Sequence, residues 1–233
     1  MIKIENLSKV YADKKVLQIE ELTVNNGESI GLVGNNGAGK TTLFSLFLDL
    51  IQPTTGHITS KDIRVDESEA WKPFTTSFID ESFLIGYLTP EEYFYFIGEL
   101  RNQNKADIDV FLLNFEEFFN DEILNQKKYL RDLSKGNQKK VGIVAALIGN
   151  PEVIILDEPF ANLDPTTQFR LKKILKKQVE EQKVTLLVSS HDLTHVTEVS
   201  ERIIVLEKGE IVIDTPKTEK TLQDLFSYFE DEK

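Results

Sequence analysis

Cysteine is absent from the 233 residues, and histidine occurs only three times. The first absence removes disulfides, thiolate nucleophiles and Cys-ligated zinc or iron–sulfur centres together. Long hydrophobic runs are missing too. The most apolar stretch, 141–149, is nine residues with two glycines, against the roughly 20 that cross a bilayer as a helix. Positive charge is in deficit: 27 Lys and Arg stand against 39 Asp and Glu, for a net charge of −12. No global positive field draws such a chain to nucleic acid or to an anionic membrane surface. The opening MIKIENLSKVYADKK reaches a charge at Lys3 and has no apolar segment of secretory type. The expectation is a cytosolic protein that binds no nucleic acid and acts at a membrane only through a partner.

What is present is a globular composition, 40% hydrophobic and 28% charged, on a chain long enough to bury its own core. Short apolar runs alternate with helical patterns, which predicts an α/β fold with a mostly parallel sheet. Strands are expected at 2–7, 16–24, 29–33, 76–79, 153–156, 184–188, 203–206 and 211–213, and helices at 40–50, 90–101, 108–119, 137–148, 166–180 and 193–200. No strand pattern occurs between about Tyr87 and Leu133, so residues 87–132 read as a helical subdomain inserted into a single domain whose core is 1–86 and 133–233.

The strand at 29–33 runs into Gly34-Asn35-Asn36-Gly37-Ala38-Gly39-Lys40-Thr41-Thr42, a GxxxxGK[ST] phosphate loop. Its glycines let backbone N–H groups face phosphate oxygens, and the helix that follows adds its positive end. Lys40 is placed to meet the β- and γ-phosphates and the Thr41 hydroxyl to ligate Mg²⁺. The apolar run Val153-Ile154-Ile155-Leu156 ends in Asp157-Glu158, a carboxylate pair suited to hold the metal through Asp157 and to polarise water through Glu158. Asn104-Lys105-Ala106-Asp107 matches the NKxD pattern of guanine recognition, but it follows a helix and no DxxG precedes it. It reads as a polar turn, with Asp107 near the start of the next helix.

Leu133-Ser134-Lys135-Gly136-Asn137-Gln138 opens a helix 93 residues beyond Lys40; Asp157 follows 24 residues after Leu133, and His191 33 after Glu158. In motif order and spacing the chain resembles the ATP-binding subunit of an ABC transporter, over nearly its whole length. The resemblance implies a P-loop NTPase cassette with a mostly parallel sheet core, an antiparallel N-terminal β portion and the inserted helical subdomain. It implies ATP and Mg²⁺ as cofactors, a second ATP-binding subunit and a separate multispanning membrane permease as partners, and a peripheral place on the cytoplasmic side of the membrane. Ser134, Lys135 and Gly136 are then the signature that meets the partner's nucleotide, and Asp164 belongs to the loop crossing the dimer interface. Tyr11 stands where an aromatic stacks on adenine, His191 where a switch histidine senses the γ-phosphate. The family's glutamine between core and helical lobe is replaced by Asp80-Glu81, of which Glu81 is the better match as a metal contact. Lys135 replaces a signature glycine, and the LSKG form resembles bacterial exporters of drugs, peptides or lipophilic compounds. A soluble cassette driving assembly or regulation is the alternative.

Two regional biases remain. Residues 83–119 hold 10 of the 21 Phe and Tyr residues, most expected in the core of the lobe and some in a cleft for the partner. Residues 62–132 carry 16 acids and 7 bases, which suggests that Glu91, Glu92, Glu116 and Glu117 face a basic segment of that partner.

Overall fold

A computed structural model describes residues 1–231. The elements in chain order are β1 (Ile2–Tyr11), β2 (Lys14–Val24), β3 (Ser29–Val33), α1 (Lys40–Phe47), β4 (Thr55–Ser60), β5 (Ile63–Arg64), β6 (Thr75–Phe78), α2 (Pro90–Leu100), α3 (Lys105–Leu113), α4 (Glu116–Phe119), α5 (Lys135–Ala145), β7 (Val153–Leu156), α6 (Pro165–Gln182), β8 (Thr185–Ser190), α7 (Leu193–Val199), β9 (Arg202–Glu207), β10 (Glu210–Pro216) and α8 (Thr221–Asp231).

Side-chain alternation sorts these strands into two sheets. In β1 and β2, Ile2, Ile4, Leu7, Leu17, Ile19, Leu22 and Val24 are buried while most residues between them are not, as a sheet with one wet face requires. These strands form an antiparallel sheet in the order β2-β1-β4-β5. The second sheet runs β10-β9-β3-β8-β7-β6, parallel except at β10–β9. Its central strands are apolar on both faces. In β7, Val153 and Ile155 join the core that contains β1, β2 and α1, whereas Ile154 and Leu156 join the core beneath α5, α6 and the helical lobe.

The lobe, α2 to α4, contains no strand, as its periodicity predicts. Its apolar interior is continuous with that second core: Phe94, Ile108, Phe118 and Phe119 belong to the same buried cluster as Val141 and Ile154. Among the ten aromatics expected here, Tyr93, Phe94, Phe115, Phe118 and Phe119 are buried, and Phe83, Tyr87 and Phe96 are exposed. Arg101, just beyond α2, ties the lobe to the sheet by donating to the carbonyls of Lys72 (2.9 Å), Pro73 (2.6 Å) and Thr75 (2.7 Å).

Several expectations are corrected. The expected helix at 108–119 is two helices: α3 starts earlier, because Asn104 and Asp107 form a reciprocal capping box, and it breaks at Asn114. That box also accounts for the NKxD look-alike. Strands β4 and β5 fall where none is predicted, since Ile58 and Ser60 are the only fully buried residues along β4 and no apolar run marks it. Helix α8 is likewise unforeseen. Glu92 closes the capping box of α2 with Thr89, and Glu91 accepts the Asn125 N–H at 2.5 Å. Those two acids thus also make bonds within the lobe.

Candidate nucleotide site

Every candidate residue of the hydrolytic site lies just past the C-terminal end of a parallel strand, where open α/β sheets bind ligands. The phosphate loop leaves β3 and enters α1 at Gly39, whose φ of 110° no side-chain-bearing residue adopts without strain. A glycine cap has no side chain to satisfy the first-turn N–H groups, which stay available to an anion. Asn35, Asn36, Gly37 and Ala38 border a 480 Å³ hollow that Leu206 and Phe229 also line. Lys40 is buried and folds back over the loop, donating to the Gly34 carbonyl at 2.6 Å. Thr42 is half-buried on the same turn.

Asp157 is buried at the end of β7, and hydroxyls engage both its oxygens: Thr41 donates to Oδ2 at 2.5 Å, and Ser189 to Oδ1. Burial pushes the pKa of Asp157 up, and the two hydroxyl donors oppose the shift. Glu158 adopts a left-handed backbone, φ 46°, and its N–H donates to Ser189 Oγ at 2.9 Å. Its carboxylate lies between His191, whose Nδ1 is 2.9 Å from Oε2, and Lys40, whose Nζ is 3.5 Å from Oε1. Strand order explains the convergence, since β8 lies between β3 and β7 and brings Ser189 and His191 to the carboxylates.

Asp80 and Glu81 differ in their surroundings. Asp80 caps the short 3-10 turn Glu81–Phe83 by accepting the Ser82 N–H, and hydrogen bonding from Ser82 holds its carboxyl below the usual range. Glu81 instead points inward, with Oε1 buried, without a hydrogen-bond partner and 3.6 Å from Lys139 Nζ. Lys139 donates to the Glu158 carbonyl at 2.8 Å. Sequence reasoning missed Ser189 and Lys139. The polar Ser189-Ser190 after an apolar strand was a usable signal for the first; Lys139 follows the signature without any local mark.

The signature residues lie in a second hollow. Ser134 caps α5 by accepting the Asn137 N–H at 3.2 Å, and Gln138 pins the approach by donating to the Leu130 and Leu133 carbonyls. Ser134, Lys135, Gly136 and Asp164 line a 420 Å³ hollow that shares no residue with the phosphate-loop hollow. Asp164 caps α6, accepting from the Thr167 N–H and hydroxyl. Tyr11 stands apart at the β1–β2 turn, 49% exposed with Lys9 Nζ 4.8 Å from its ring centre. His195 packs on Phe160 with ring centres 4.9 Å apart while His191 bonds Glu158, so the two histidines form no metal pair.

The family model described as ABC transporter matches residues 17–161. The chain belongs to the ABC transporter ATP-binding family. An uncharacterized ABC transporter ATP-binding protein of Methanocaldococcus jannaschii is 34% identical over 213 residues, covering 91% of this chain and 76% of the relative. The carnitine transport ATP-binding protein OpuCA of Listeria monocytogenes is 30% identical over 93% of this chain and 55% of its own. A dimeric ATP-binding cassette in a post-hydrolysis state, bound to ADP and Pi, superposes with a TM-score of 0.81 at 25% identity, covering 93% of this chain and 98% of that one. The protein is thus an ABC ATPase and a transporter ATP-binding subunit that binds adenine nucleotide. Such subunits pair as dimers and work with membrane components. Among the described residues of this cassette no helix is long and apolar enough to cross a membrane.

Proposed function

We propose that two copies of this cassette, or one copy and a close paralogue, close head to tail around ATP and drive export through a separate multispanning membrane protein. The separation of the two sites carries this reading: Lys40, Asp157, Glu158 and His191 assemble at the strand ends, whereas Ser134, Lys135 and Gly136 line a hollow that none of the former borders. A second chain is needed to bring a signature to each phosphate loop, and Asp164 lies at the same interface. Tyr11 supplies an exposed ring for adenine.

In hydrolysis Glu158 orients or deprotonates the attacking water, with its carboxylate steered by His191, and Lys40 swings from the Gly34 carbonyl to the phosphates. The donor set suits magnesium, which takes hydroxyl and carboxylate oxygens and keeps water and phosphate as further ligands. The buried, unbonded Oε1 atoms of Glu81 and Glu158 also fit a nearby cation. Thr41 and Asp157, assisted by Glu81, would hold Mg²⁺, which supplies charge neutralisation at the phosphates. Loss of the γ-phosphate releases the contact that His191 reads, and the dimer opens.

The membrane partner docks in a 760 Å³ groove where the helical subdomain, 87–132, meets the core, lined by Trp71, Phe83, Leu84, Tyr93, Ile97 and Leu100. In this reading the cassette sits peripherally on the cytoplasmic face. Export is supported by the lysine-bearing signature. The test is reconstitution of the co-purified complex in inside-out vesicles: ATP should drive substrate into the lumen. Glu158→Gln should keep ATP binding, lose most turnover and accumulate the closed dimer. Undiminished hydrolysis by Glu158→Gln overturns the role of Glu158; efflux from the lumen overturns the direction; and co-purification with soluble partners alone favours an assembly or regulatory role.

A further inference from the structure

Lys139 touches both halves of the hydrolytic machinery from the signature helix. It lies one turn into α5, with its side chain 7% exposed, and donates to the Glu158 carbonyl at 2.8 Å. That carbonyl belongs to a residue in the left-handed region, a conformation that persists only where surroundings hold it. On the other side Lys139 faces Glu81, itself 15% exposed, at 3.6 Å. The distance is an ion pair without a hydrogen bond, and the Glu81 oxygen nearest Lys139 has no other partner. A buried carboxylate in that state is held by charge and remains free to trade one cation for a better one.

We propose that Lys139 is a positioning residue: the counter-ion that Glu81 exchanges for magnesium when nucleotide binds. The proposal rests on the reading of Glu81 as a metal contact. Lys139 has two consequences of opposite sign. By holding Glu81 it makes magnesium harder to bind, and by holding the Glu158 carbonyl it keeps the water-activating carboxylate in place. Because Lys139 rides on α5, whose first turn is the signature, each chain's signature helix is linked to its own metal site as well as to the partner's nucleotide.

The test compares the affinity for a non-hydrolysable ATP analogue with magnesium and in EDTA, alongside kcat, for the full-length protein. The ratio of the two affinities cancels any general loss of nucleotide binding. Lys139→Gln should raise that ratio about fivefold, the factor an ion pair of ordinary strength represents, while kcat falls. Lys139→Arg should restore both toward wild type. Glu81→Ala should lower the ratio, and in that background Lys139→Gln should no longer raise it. If Glu81→Ala leaves the ratio unchanged, Glu81 is no metal contact and both readings fail. If Glu81→Ala lowers it but Lys139→Gln does not raise it in wild type, or raises it equally without Glu81, the exchange alone is overturned. A ratio and a kcat that fall together in Lys139→Gln mean a purely structural role.

Discussion

Replacing Ser189 with alanine isolates one hydroxyl at the centre of the site. Ser189 donates to Asp157 Oδ1 and accepts the Glu158 N–H at 2.9 Å, so the variant leaves a buried carboxylate with Thr41 as its one side-chain donor and a backbone N–H without an acceptor. A hydrogen bond to a charged group contributes about 1.5–3 kcal/mol, and removing one hydroxyl opens little space, so a loss of about 2 kcal/mol is expected. For a chain of this size each kcal/mol moves Tm by about 2–4 °C, which puts the fall at roughly 4–8 °C. The pH dependence is the sharper readout. Burial already raises the Asp157 pKa in the folded state, and loss of a donor to the ionised form raises it further. A raised folded-state carboxyl is penalised in full above its folded pKa, and the penalty fades as pH falls and the native state takes up the proton. Calorimetric unfolding of Ser189→Ala should therefore show a larger deficit at neutral pH than at mildly acidic pH, where nucleotide-free protein is compared. A deficit under about 0.5 kcal/mol, the ordinary scatter of surface changes, or one independent of pH, refutes the view that Ser189 stabilises ionised Asp157.

Two further predictions concern the helical lobe and its seating. A Cβ on Gly142 would lie 2.1 Å from the Phe78 ring, so Gly142→Ala should lose roughly 1–2 kcal/mol in urea unfolding, overpacking outweighing a helix-propensity gain of about 1 kcal/mol; Phe78→Leu in the same chain should recover part of it. The Tyr95 hydroxyl donates to Asp109 at 2.7 Å, and this bond pushes its pKa up to about 12 from 10.0. Its contribution to stability is present below the ordinary tyrosine pKa and is lost as pH rises through the folded value, so ultraviolet titration should find a tyrosine ionising with a pKa of about 12, and Tyr95→Phe should remove that step.

Contiguous residues made the candidate site legible. The phosphate loop, Asp157-Glu158 and His191 each follow an apolar strand, and a strand end with a loop of fixed chemistry is a local pattern. Ser189 and Lys139 are different in kind. Their significance lies in neighbours 31 and 19 residues away in sequence, and no local composition encodes such a meeting. Helical spacing revealed the lobe, but its internal break did not show, because Phe111, Phe115 and Phe118 continue an apolar rhythm across Asn114 while the backbone turns. Strand β4 escaped because its neighbours in space, β1 above all, provide the burial that its own side chains do not advertise. Within the acid surplus of 62–132, composition could not show that Glu91 and Glu92 also bond inside the lobe, at the start of α2 and to Asn125.

The sheet order β10-β9-β3-β8-β7-β6 divides the site between an interior centre and an outer margin. Lys40, Ser189, His191, Asp157 and Glu158 leave three strands that flank one another in the interior of the sheet. Glu81 alone leaves the outermost strand, and the chain proceeds from it directly into the lobe. Were the lobe to turn about that margin, Glu81 and the Lys139 that it faces would feel it before the groups on the interior strands. Force from a membrane partner would then reach the chemistry from its edge, as a throttle set beside the engine rather than within it.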